Sequence, residues 1–212
     1  MTEIKYIVGD LFEAIFENEN RIIITHIVNS VGGWGSGFVL PLAKHFPMSE
    51  QEYRKWYKDG EIESYGDIVP FQLGKVQFVY GGRCITIANM VGQEGTGLGI
   101  DGRPPIRYSA LAECMQEVAE NARVRRAEIH APKFGSGLSG GDWSFIEELI
   151  KECWCDCDIP VTIYSLEEAP IVIALDPNDL DFKPNFGQGG QQPIDIDADL
   201  LGIKTPDSQD VS

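Results

Sequence analysis

Short apolar segments alternate with segments of helical spacing along residues 1–166 of the chain. Segments rich in Ile, Val, Thr and Tyr predict strands at residues 5–8, 21–29, 67–73, 76–80, 84–90, 128–132 and 161–166. Apolar residues three or four apart predict helices at residues 11–16, 38–46, 49–58, 107–122 and about 143–153. Because residues 21–29 are nearly continuously apolar, we expect helices on both faces of that strand. The pattern predicts an α/β fold.

The pattern changes beyond residue 168, where Pro, Gly, Gln and Asp dominate and residues 187–193 are of low complexity. Residues 171–175, Ile-Val-Ile-Ala-Leu, are the apolar exception and could dock on the rest of the protein or on a partner. We therefore expect a domain at residues 1–168 and a flexible, disordered acidic tail at residues 169–212 that could contact a protein partner.

The charge of the chain restricts its ligands. The 212 residues carry a formal charge of −16, and from Glu167 onward ten acidic residues stand against Lys183 and Lys204. Nonspecific nucleic-acid binding depends on Lys and Arg neutralising phosphates, so the charge argues against a nucleic-acid partner. Since the rest of the chain is acidic too, backbone N–H groups would have to hold an anionic ligand.

Hydropathy and cysteines indicate the compartment. No run of 18 or more apolar residues appears, and residues 1–5 lack the features of a secretory signal. The five cysteines form no disulfide-like framework, which fits a reducing compartment. Cys153, Cys155 and Cys157 invite a metal interpretation, but no second Cys or His pair lies near them in the sequence, so buried thiols are favoured. We expect a cytoplasmic monomer with no membrane contact, metal or cofactor.

Two glycine-rich loops, residues 32–37 and 135–141, each follow a predicted strand and precede a predicted helix. Backbone N–H groups at a helix N-terminus lack partners and lie at the positive end of the helix dipole, so they favour phosphate. The first loop is not a Walker loop, because no Lys follows it, and it does not match the G-x-G-x-x-G fingerprint. One such loop could be a structural turn. Two of them predict a grip on one diphosphate from both sides.

Several motifs occur in the order found in a known family. Val8-Gly9-Asp10 follows the first strand, and residues 25–30, Thr-His-Ile-Val-Asn-Ser, lead into Gly-Trp-Gly-Ser-Gly at residues 33–37. Residues 132–138, Pro-Lys-Phe-Gly-Ser-Gly-Leu, and residues 161–166, Val-Thr-Ile-Tyr-Ser-Leu, complete the set. With these motifs, residues 4 to 166 resemble the macrodomains, an ADP-ribose-binding family. The resemblance implies a three-layer α/β/α architecture with a central mixed sheet.

One branch of that family is more similar to the chain than others. The spacing of His26 and Asn29 and the closing Tyr164-x-Leu166 resemble the branch of the yeast-type ADP-ribose-1″-phosphate phosphatase and the terminal ADP-ribose protein glycohydrolase. The Gly-Gly-Trp-Gly segment and residues 89–93, Asn-Met-Val-Gly-Gln, are similar to bacterial and phage members of the branch. The implied ligand is ADP-ribose or ADP-ribosylated protein.

The resemblance implies roles for residues around the loops. Asp10 would accept a hydrogen bond from the adenine amino group, although Asp at a strand-to-helix turn is also a common N-cap. Tyr164 would stack on or border the adenine, with core packing as its alternative. Asn29 would contact hydroxyl groups of the distal ribose. Trp34 is hard to bury from within a glycine loop, so we expect it to form a wall of the site.

Further ligand contacts are implied for the two loops and their flanks, mostly through backbone N–H groups. These residues are Leu11, Gly33, Gly35, Ser36, Gly37, Phe134, Gly135, Ser136, Gly137 and Leu138. Gln93 and Arg107 could line the distal ribose from the Gly-rich stretch between them, with a solvated surface as the alternative for Arg107.

Three residues are candidates for catalysis. His26 matches a histidine implicated in the phosphatase branch, and imidazole can transfer protons near neutral pH. A single His within an apolar strand is equally often a hydrogen-bonded core residue. Asn29 would act beside the bound ribose. Asp142 could serve as an acid or base, or as the N-cap of the helix that follows it.

The chain departs from the glycohydrolase pattern, in which a lysine nucleophile and an aspartate of the second loop act. Ser139 stands at the aspartate position, and residues 89–91 offer no lysine. We therefore expect a hydrolase that releases ADP-ribose from O-linked derivatives, such as ADP-ribosylated acidic side chains, with a ligand-positioned water as nucleophile. Dephosphorylation of ADP-ribose-1″-phosphate is the alternative reaction. A non-catalytic reader of ADP-ribosylated protein is the alternative from another class.

Overall fold

The computed structural model describes residues 1–64 and 66–166. The predicted domain boundary at residue 168, the acidic tail at residues 169–212 and the apolar segment 171–175 lie outside the described residues. Within the described part of the chain, no helix is both long enough and apolar enough to cross a membrane.

The strands form one mixed sheet and one hairpin. In chain order they are β1 (Ile4–Val8), β2 (Ile22–Asn29), β3 (Glu61–Ser64), β4 (Asp67–Pro70), β5 (Val76–Gly82), β6 (Ile85–Gln93), β7 (Glu128–Pro132) and β8 (Val161–Ser165). Among the described residues, β3 and β4 pair as the hairpin, and the others form a six-stranded sheet in the order β1-β8-β7-β2-β6-β5. Neighbouring strands are parallel except β5 and β6, which are antiparallel. The predicted mixed sheet is confirmed.

Helices cover both faces of the sheet. They are α1 (Leu11–Phe16), α2 (Val39–His45), α3 (Pro47–Asp59), α4 (Tyr108–Arg125) and α5 (Trp143–Ile150), and α5 continues into a π-helical turn at Lys151–Cys155. Ile22 and Ile24 of β2 pack with apolar residues of α1, α2 and α3, whereas Ile23 packs with those of α4 and α5. Successive side chains of a strand point to opposite faces, so this division confirms the predicted three layers.

Some predicted element bounds were wrong. The strand predicted at 67–73 ends at Pro70, because the chain turns before Gly74, whose φ is +86°. The strand β3 was missed, since Glu-Ile-Glu-Ser contains one apolar residue. The helix predicted at 49–58 begins at Pro47, which is tolerated in a first turn.

The neighbours β2 and β7 lie where the chain connections change direction. From β2 the chain passes to α2 and α3 on one face, and from β7 it passes to α5 on the other. The two strands pair only from Ile22 and Glu128 to Ile24 and His130, although β2 continues to Asn29. Open α/β sheets bind ligands outside the carboxyl ends of the strands at such a switch point. The fold therefore predicts a site above β2 and β7.

The indole of Trp154 anchors the layer formed by α4 and α5. It is fully buried, and its Nε1 donates a hydrogen bond to the carbonyl of Met115 at 2.8 Å. In Trp154→Phe this bond and part of the packed ring are lost, so we expect the free energy of unfolding to fall by about 1–3 kcal/mol. Urea denaturation followed by circular dichroism measures the change. Tyr80→Phe, at a side chain that is 73% exposed, is the control, and an equal loss in both variants would contradict the prediction.

Candidate functional site

The predicted site residues lie along one edge of the sheet. Because β1, β8, β7, β2 and β6 are parallel, their carboxyl ends share that edge. Asp10 follows β1, Tyr164 lies near the end of β8, the two glycine loops follow β7 and β2, and Gln93 ends β6. With about 4.8 Å between adjacent strands, the row from β1 to β2 is about 14 Å long. This arrangement suits an elongated ligand.

The two glycine loops approach each other above β2 and β7. A β-carbon placed on Gly37 would lie 3.6 Å from Cδ1 of Leu138, whose side chain is exposed. A β-carbon on Gly35 or on Gly137 would meet no atom within 4 Å. The loops are therefore close to each other at one point and border open space at two others.

Both loops present backbone N–H groups without partners. Within the described residues, no hydrogen bond is made by the N–H groups of six loop positions, which are Gly35, Ser36, Gly37, Ser136, Gly137 and Leu138. All six positions are exposed or half-buried. A bound anion would satisfy these donors, since an unpaired N–H is a strong hydrogen-bonding group.

The side chain of Asn29 organises the first loop. Its Oδ1 accepts hydrogen bonds from the N–H of Gly33 at 2.8 Å and of Val31 at 3.1 Å, and its Nδ2 donates to the carbonyl of Gly33 at 2.7 Å. The hydroxyl of Tyr53 donates to the backbone oxygen and to Oδ1 of Asn29. Because the amide nitrogen carries two hydrogens, one N–H of Asn29 remains for a ribose hydroxyl.

A brace from α3 sets the direction of the peptide groups in the first loop. Arg54 donates from Nη1 to the carbonyl of Gly32 at 3.3 Å and from Nη2 to the carbonyl of Trp34 at 3.4 Å. The C=O and N–H of a trans peptide point in opposite directions, so the N–H of Gly35 points away from Arg54. Arg54 and Tyr53 could not be predicted as part of the site from the sequence, because no local pattern links α3 to the loop.

The expectation that Trp34 would be hard to bury was wrong. Its side chain is 6% exposed, and its Nε1 donates to the carbonyl of Val39 at 3.1 Å. The ring meets His26 edge-on and Tyr53 at a tilt, with ring centroids 5.4 Å apart in both pairs. The carbonyl of Val39 satisfies the indole N–H, which removes the main cost of burying it. Trp34 therefore anchors the first loop to the core.

His26 lies in a buried polar network. It is 1% exposed, and its Nε2 is 2.6 Å from Oδ1 of Asn89. Asn89 donates from Nδ2 to the carbonyl of Ser49 and to Oε1 of Gln77, so its Oδ1 is the acceptor and His26 Nε2 carries a proton. Burial lowers the pKa of His26 to about 4. These contacts are those of the core alternative, and a catalytic role for His26 stays a prediction.

Gly135 and Ser139 fix the second loop. Gly135 has a φ of +79°, and a β-carbon there would lie 2.7 Å from Cδ1 of Ile146, so the position requires glycine. Ser139 donates from Oγ to Oε1 of Gln93 at 2.7 Å, and Gln93 donates from Nε2 to the carbonyl of Gly95. Ser139, at the position expected for an aspartate, thus ties the second loop to the end of β6.

Asp142 caps α5. Its Oδ1 accepts hydrogen bonds from the hydroxyl of Ser144 at 2.7 Å and from the N–H of Ser144 at 2.8 Å. These two bonds, that from the hydroxyl first, lower the pKa of the Asp142 carboxyl. An N-cap was one of the two interpretations of this residue, and its role as an acid or base stays a prediction.

The residues predicted to contact adenine are held differently. Asp10 caps α1 through Oδ1, which accepts from the N–H of Phe12 at 2.7 Å, while its Oδ2 makes no hydrogen bond within the described residues. Tyr164 is buried, its hydroxyl is 2.8 Å from Nδ1 of His130, and the two rings stack. Asp10 therefore keeps a free acceptor, whereas Tyr164 belongs to the core.

Other predicted contact residues serve the core or the neighbouring loop. The side chains of Leu11 and Phe134 are buried, so a ligand could reach only their backbone. Arg107 forms an ion pair with Glu94 at 2.9 Å and donates to the carbonyls of Pro104 and Ile106. Arg107 thus holds together the two ends of the Gly-rich segment.

The three cysteines of the Cys-x-Cys-x-Cys motif differ in exposure. Cys155 is buried, Cys153 is half-buried and Cys157 is exposed. Among the described residues, no three His, Cys, Asp or Glu side chains are grouped so that they could hold a metal ion.

Solved structures share this architecture. A protein of unknown function from Bacteroides thetaiotaomicron is 44% identical, with 77% of this chain and 98% of that chain covered and a TM-score of 0.70. A macrodomain protein from Streptomyces coelicolor is 37% identical, with 77% of this chain and 99% of that chain covered and a TM-score of 0.63. The chain belongs to the macrodomain family. Its glycine loops are thus those of a macrodomain, as their resemblance implied.

Curated relatives of this macrodomain differ widely in length, and no family model matches the chain. The chromodomain-helicase-DNA-binding protein 1-like of Danio rerio is 28% identical over 166 residues, which are 77% of this chain and 16% of that protein. The ADP-ribose 1″-phosphate phosphatase of Candida albicans is 24% identical over 159 residues, which are 70% of this chain and 92% of that protein. The chain thus spans about a sixth of the length of the first relative and nearly all of the second.

The buried His26 predicts a pH dependence of stability for this macrodomain. Its pKa is about 4 in the folded protein and 6.5 as the ordinary value. The folded state therefore binds fewer protons than the unfolded state between these values, so stability is full above pH 6.5 and is lost as pH falls toward 4. We expect the contribution of His26 to approach about 1.4 kcal/mol per pH unit within this window.

Urea denaturation of the parent and of His26→Gln between pH 4.5 and 7.5 measures this contribution. The parent should lose stability more steeply than His26→Gln as the pH falls. His45→Gln, at an exposed histidine, is the matched control and should keep the slope of the parent. Equal slopes of stability against pH for the parent and His26→Gln would contradict the assignment of this pH dependence to His26.

Proposed function

We propose that this macrodomain binds ADP-ribose through its diphosphate and hydrolyses O-linked ADP-ribose on acidic side chains. The observation that carries the proposal is the set of unpaired N–H groups at residues 35–37 and 136–138, presented by two adjacent loops. Membership of the macrodomain family and the similarity to the Candida albicans ADP-ribose 1″-phosphate phosphatase support the choice of ligand.

Backbone donors suit this anion in this protein. The chain has a formal charge of −16, so a diphosphate gains little from the overall field and depends on local donors. Arg54 binds the carbonyl of Trp34, so the N–H of Gly35 in the same peptide group points to the other side. The first loop is thereby preorganised as a donor, which lowers the cost of binding.

The adenine end of the ligand would lie beside β1, and the distal ribose would lie beside β2. The free Oδ2 of Asp10 would accept the adenine amino group beside β1. The free N–H of Asn29 would meet the distal ribose at the end of β2, close to Gln93 and Ser139. The diphosphate then lies between these ends, over the glycine loops.

The proposed reaction requires little acid catalysis. The oxygen of a water molecule bonds to the anomeric carbon of the distal ribose, and the bond from that carbon to the carboxylate oxygen of the target breaks. The target leaves as a carboxylate, which is stable without a proton at neutral pH. The proton of the attacking water passes to a phosphate oxygen or to solvent. The absence of a lysine at residues 89–91 and of an aspartate at Ser139 is compatible with this route.

A reader without catalysis is the second candidate, and specific contacts favour it. His26 is buried, Asn29 is used by the first loop, and Asp142 caps α5. Each proposed catalytic side chain thus has a structural task. Dephosphorylation of ADP-ribose-1″-phosphate is the alternative reaction, favoured by the similarity to the Candida albicans phosphatase.

A negative charge in the second loop tests the binding site. A β-carbon at Gly137 meets no atom within 4 Å, so Gly137→Asp should fold, yet its carboxylate would repel the diphosphate. We expect ADP-ribose affinity to fall at least tenfold, which is about 1.4 kcal/mol. Isothermal titration calorimetry measures the affinity. Gly137→Asn is the matched control, because its side chain has nearly the same size without the charge. Equal ADP-ribose affinities for the two variants would show that the diphosphate does not bind at the second loop.

Product release tests the chemistry. Two substrates are used in separate assays, which are protein ADP-ribosylated on glutamate and ADP-ribose-1″-phosphate. Each is incubated with the parent and with the variants His26→Ala, Asn29→Ala and Asp142→Ala. Chromatography measures the free ADP-ribose that is released. The hydrolase proposal expects release from the protein substrate and a loss of more than tenfold in Asn29→Ala. Release only from ADP-ribose-1″-phosphate would identify the phosphatase. ADP-ribose binding without release from either substrate would identify the protein as a non-catalytic reader.

A further inference from the structure

A cavity of about 700 Å³ lies among α3, β3, β4 and β5. Its lining includes four successive residues of β5, Gln77 to Tyr80, and all four residues of β3, Glu61 to Ser64. Alternate side chains of a strand point to opposite faces, so a space that touches successive residues must lie along the edge of the strand. The cavity is therefore a slot between the edges of β5 and β3.

Both strands have an open edge at this slot. β5 is the last strand of the six-stranded sheet and pairs with β6, and β3 pairs with β4. Within the described residues, neither strand has a second strand partner. An open edge presents a row of unpaired N–H and C=O groups, which can pair with an extended peptide. Here two such rows border one space.

The slot is acidic. Glu52, Glu61 and Glu63 line it, and no ion pair is made by these three carboxylates within the described part of the chain. Lys55 also lines it, but its Nζ is paired with Asp59 at 2.8 Å. The charge of the slot therefore favours a cationic occupant.

The residues of β3 present different groups to the two sides of the slot. Ile62 packs with the core beneath α3, so its neighbours Glu61 and Glu63 point to the opposite side. Met48, Glu52 and Lys55 line the slot from α3, and Met48 is exposed. An extended segment placed here would present alternate side chains to Glu61 and Glu63 on one side and to Ile62 and Met48 on the other.

We propose that this slot binds an extended peptide segment of a partner protein in which basic and apolar residues alternate. The peptide adds as a strand between β5 and β3 and joins the sheet to the hairpin. Backbone hydrogen bonds supply affinity, and the pairing of Lys or Arg with Glu61 and Glu63 supplies specificity. The site is separate from the glycine loops and independent of the chemistry proposed there.

Fluorescence anisotropy of the full chain with the labelled peptide Lys-Val-Lys-Val-Lys-Val tests the proposal. We expect saturable binding that falls at least tenfold for Lys-Lys-Lys-Val-Val-Val, which has the same composition without alternation. Methylation of alternate backbone nitrogens of the peptide should abolish binding, because it removes the donors that pair with a strand edge. An excess of ADP-ribose should leave the peptide bound.

Charge reversal tests the specificity. Glu61→Lys with Glu63→Lys should weaken peptide binding at least tenfold, whereas Glu13→Lys with Glu17→Lys, at exposed positions of α1 and its end, should leave it unchanged. Equal binding of the alternating and blocked peptides would overturn the proposal, and so would equal loss in both double variants. Self-association of the parent that Glu61→Lys with Glu63→Lys abolishes would assign the slot to a second copy and would also overturn it.

Discussion

The short parallel pairing of β2 with β7 is the constraint on which the site depends. The pairing ends at Ile24 and His130, although β2 runs on to Asn29. The connections after these strands pass to opposite faces of the sheet, so the helices that follow β2 and β7 lie on different faces. The two glycine loops therefore meet above the place where the strands stop pairing, and a ligand can reach backbone groups of both.

The fold could be predicted from the sequence where local patterns decide structure. The continuous apolar run of β2 requires cover on both faces, and the glycine loops follow from residues that favour turns between a strand and a helix. The burial of Trp34 could not be predicted, because it depends on the carbonyl of Val39 and on the ring of Tyr53. Arg54 was missed for the same reason, since its partners lie in a loop that the sequence places far from α3.

The side chains around the first loop explain how neutral groups can hold an anion. Asn29 and Arg54 bind the carbonyl oxygens of residues 32–34, while Trp34 and Tyr53 fill the space beneath them. The carbonyl of Trp34 thus points to Arg54 and the N–H of Gly35 points away from it, next to the unpaired N–H groups of Ser36 and Gly37. An acidic chain can therefore present unpaired donors to an anion without a cationic patch.

The same contacts restrict the chemistry that the site can perform. A buried side chain cannot exchange protons with a substrate that it does not reach, and His26, which is 1% exposed and bonded through Nε2 to Asn89, is such a group. In the proposed hydrolysis, catalysis then depends on the ligand and on a bound water, and this suffices only when the leaving group is stable without a proton. A carboxylate meets that condition and an alkoxide does not. The burial of His26 therefore favours esters of acidic side chains as the substrates of the proposed hydrolysis.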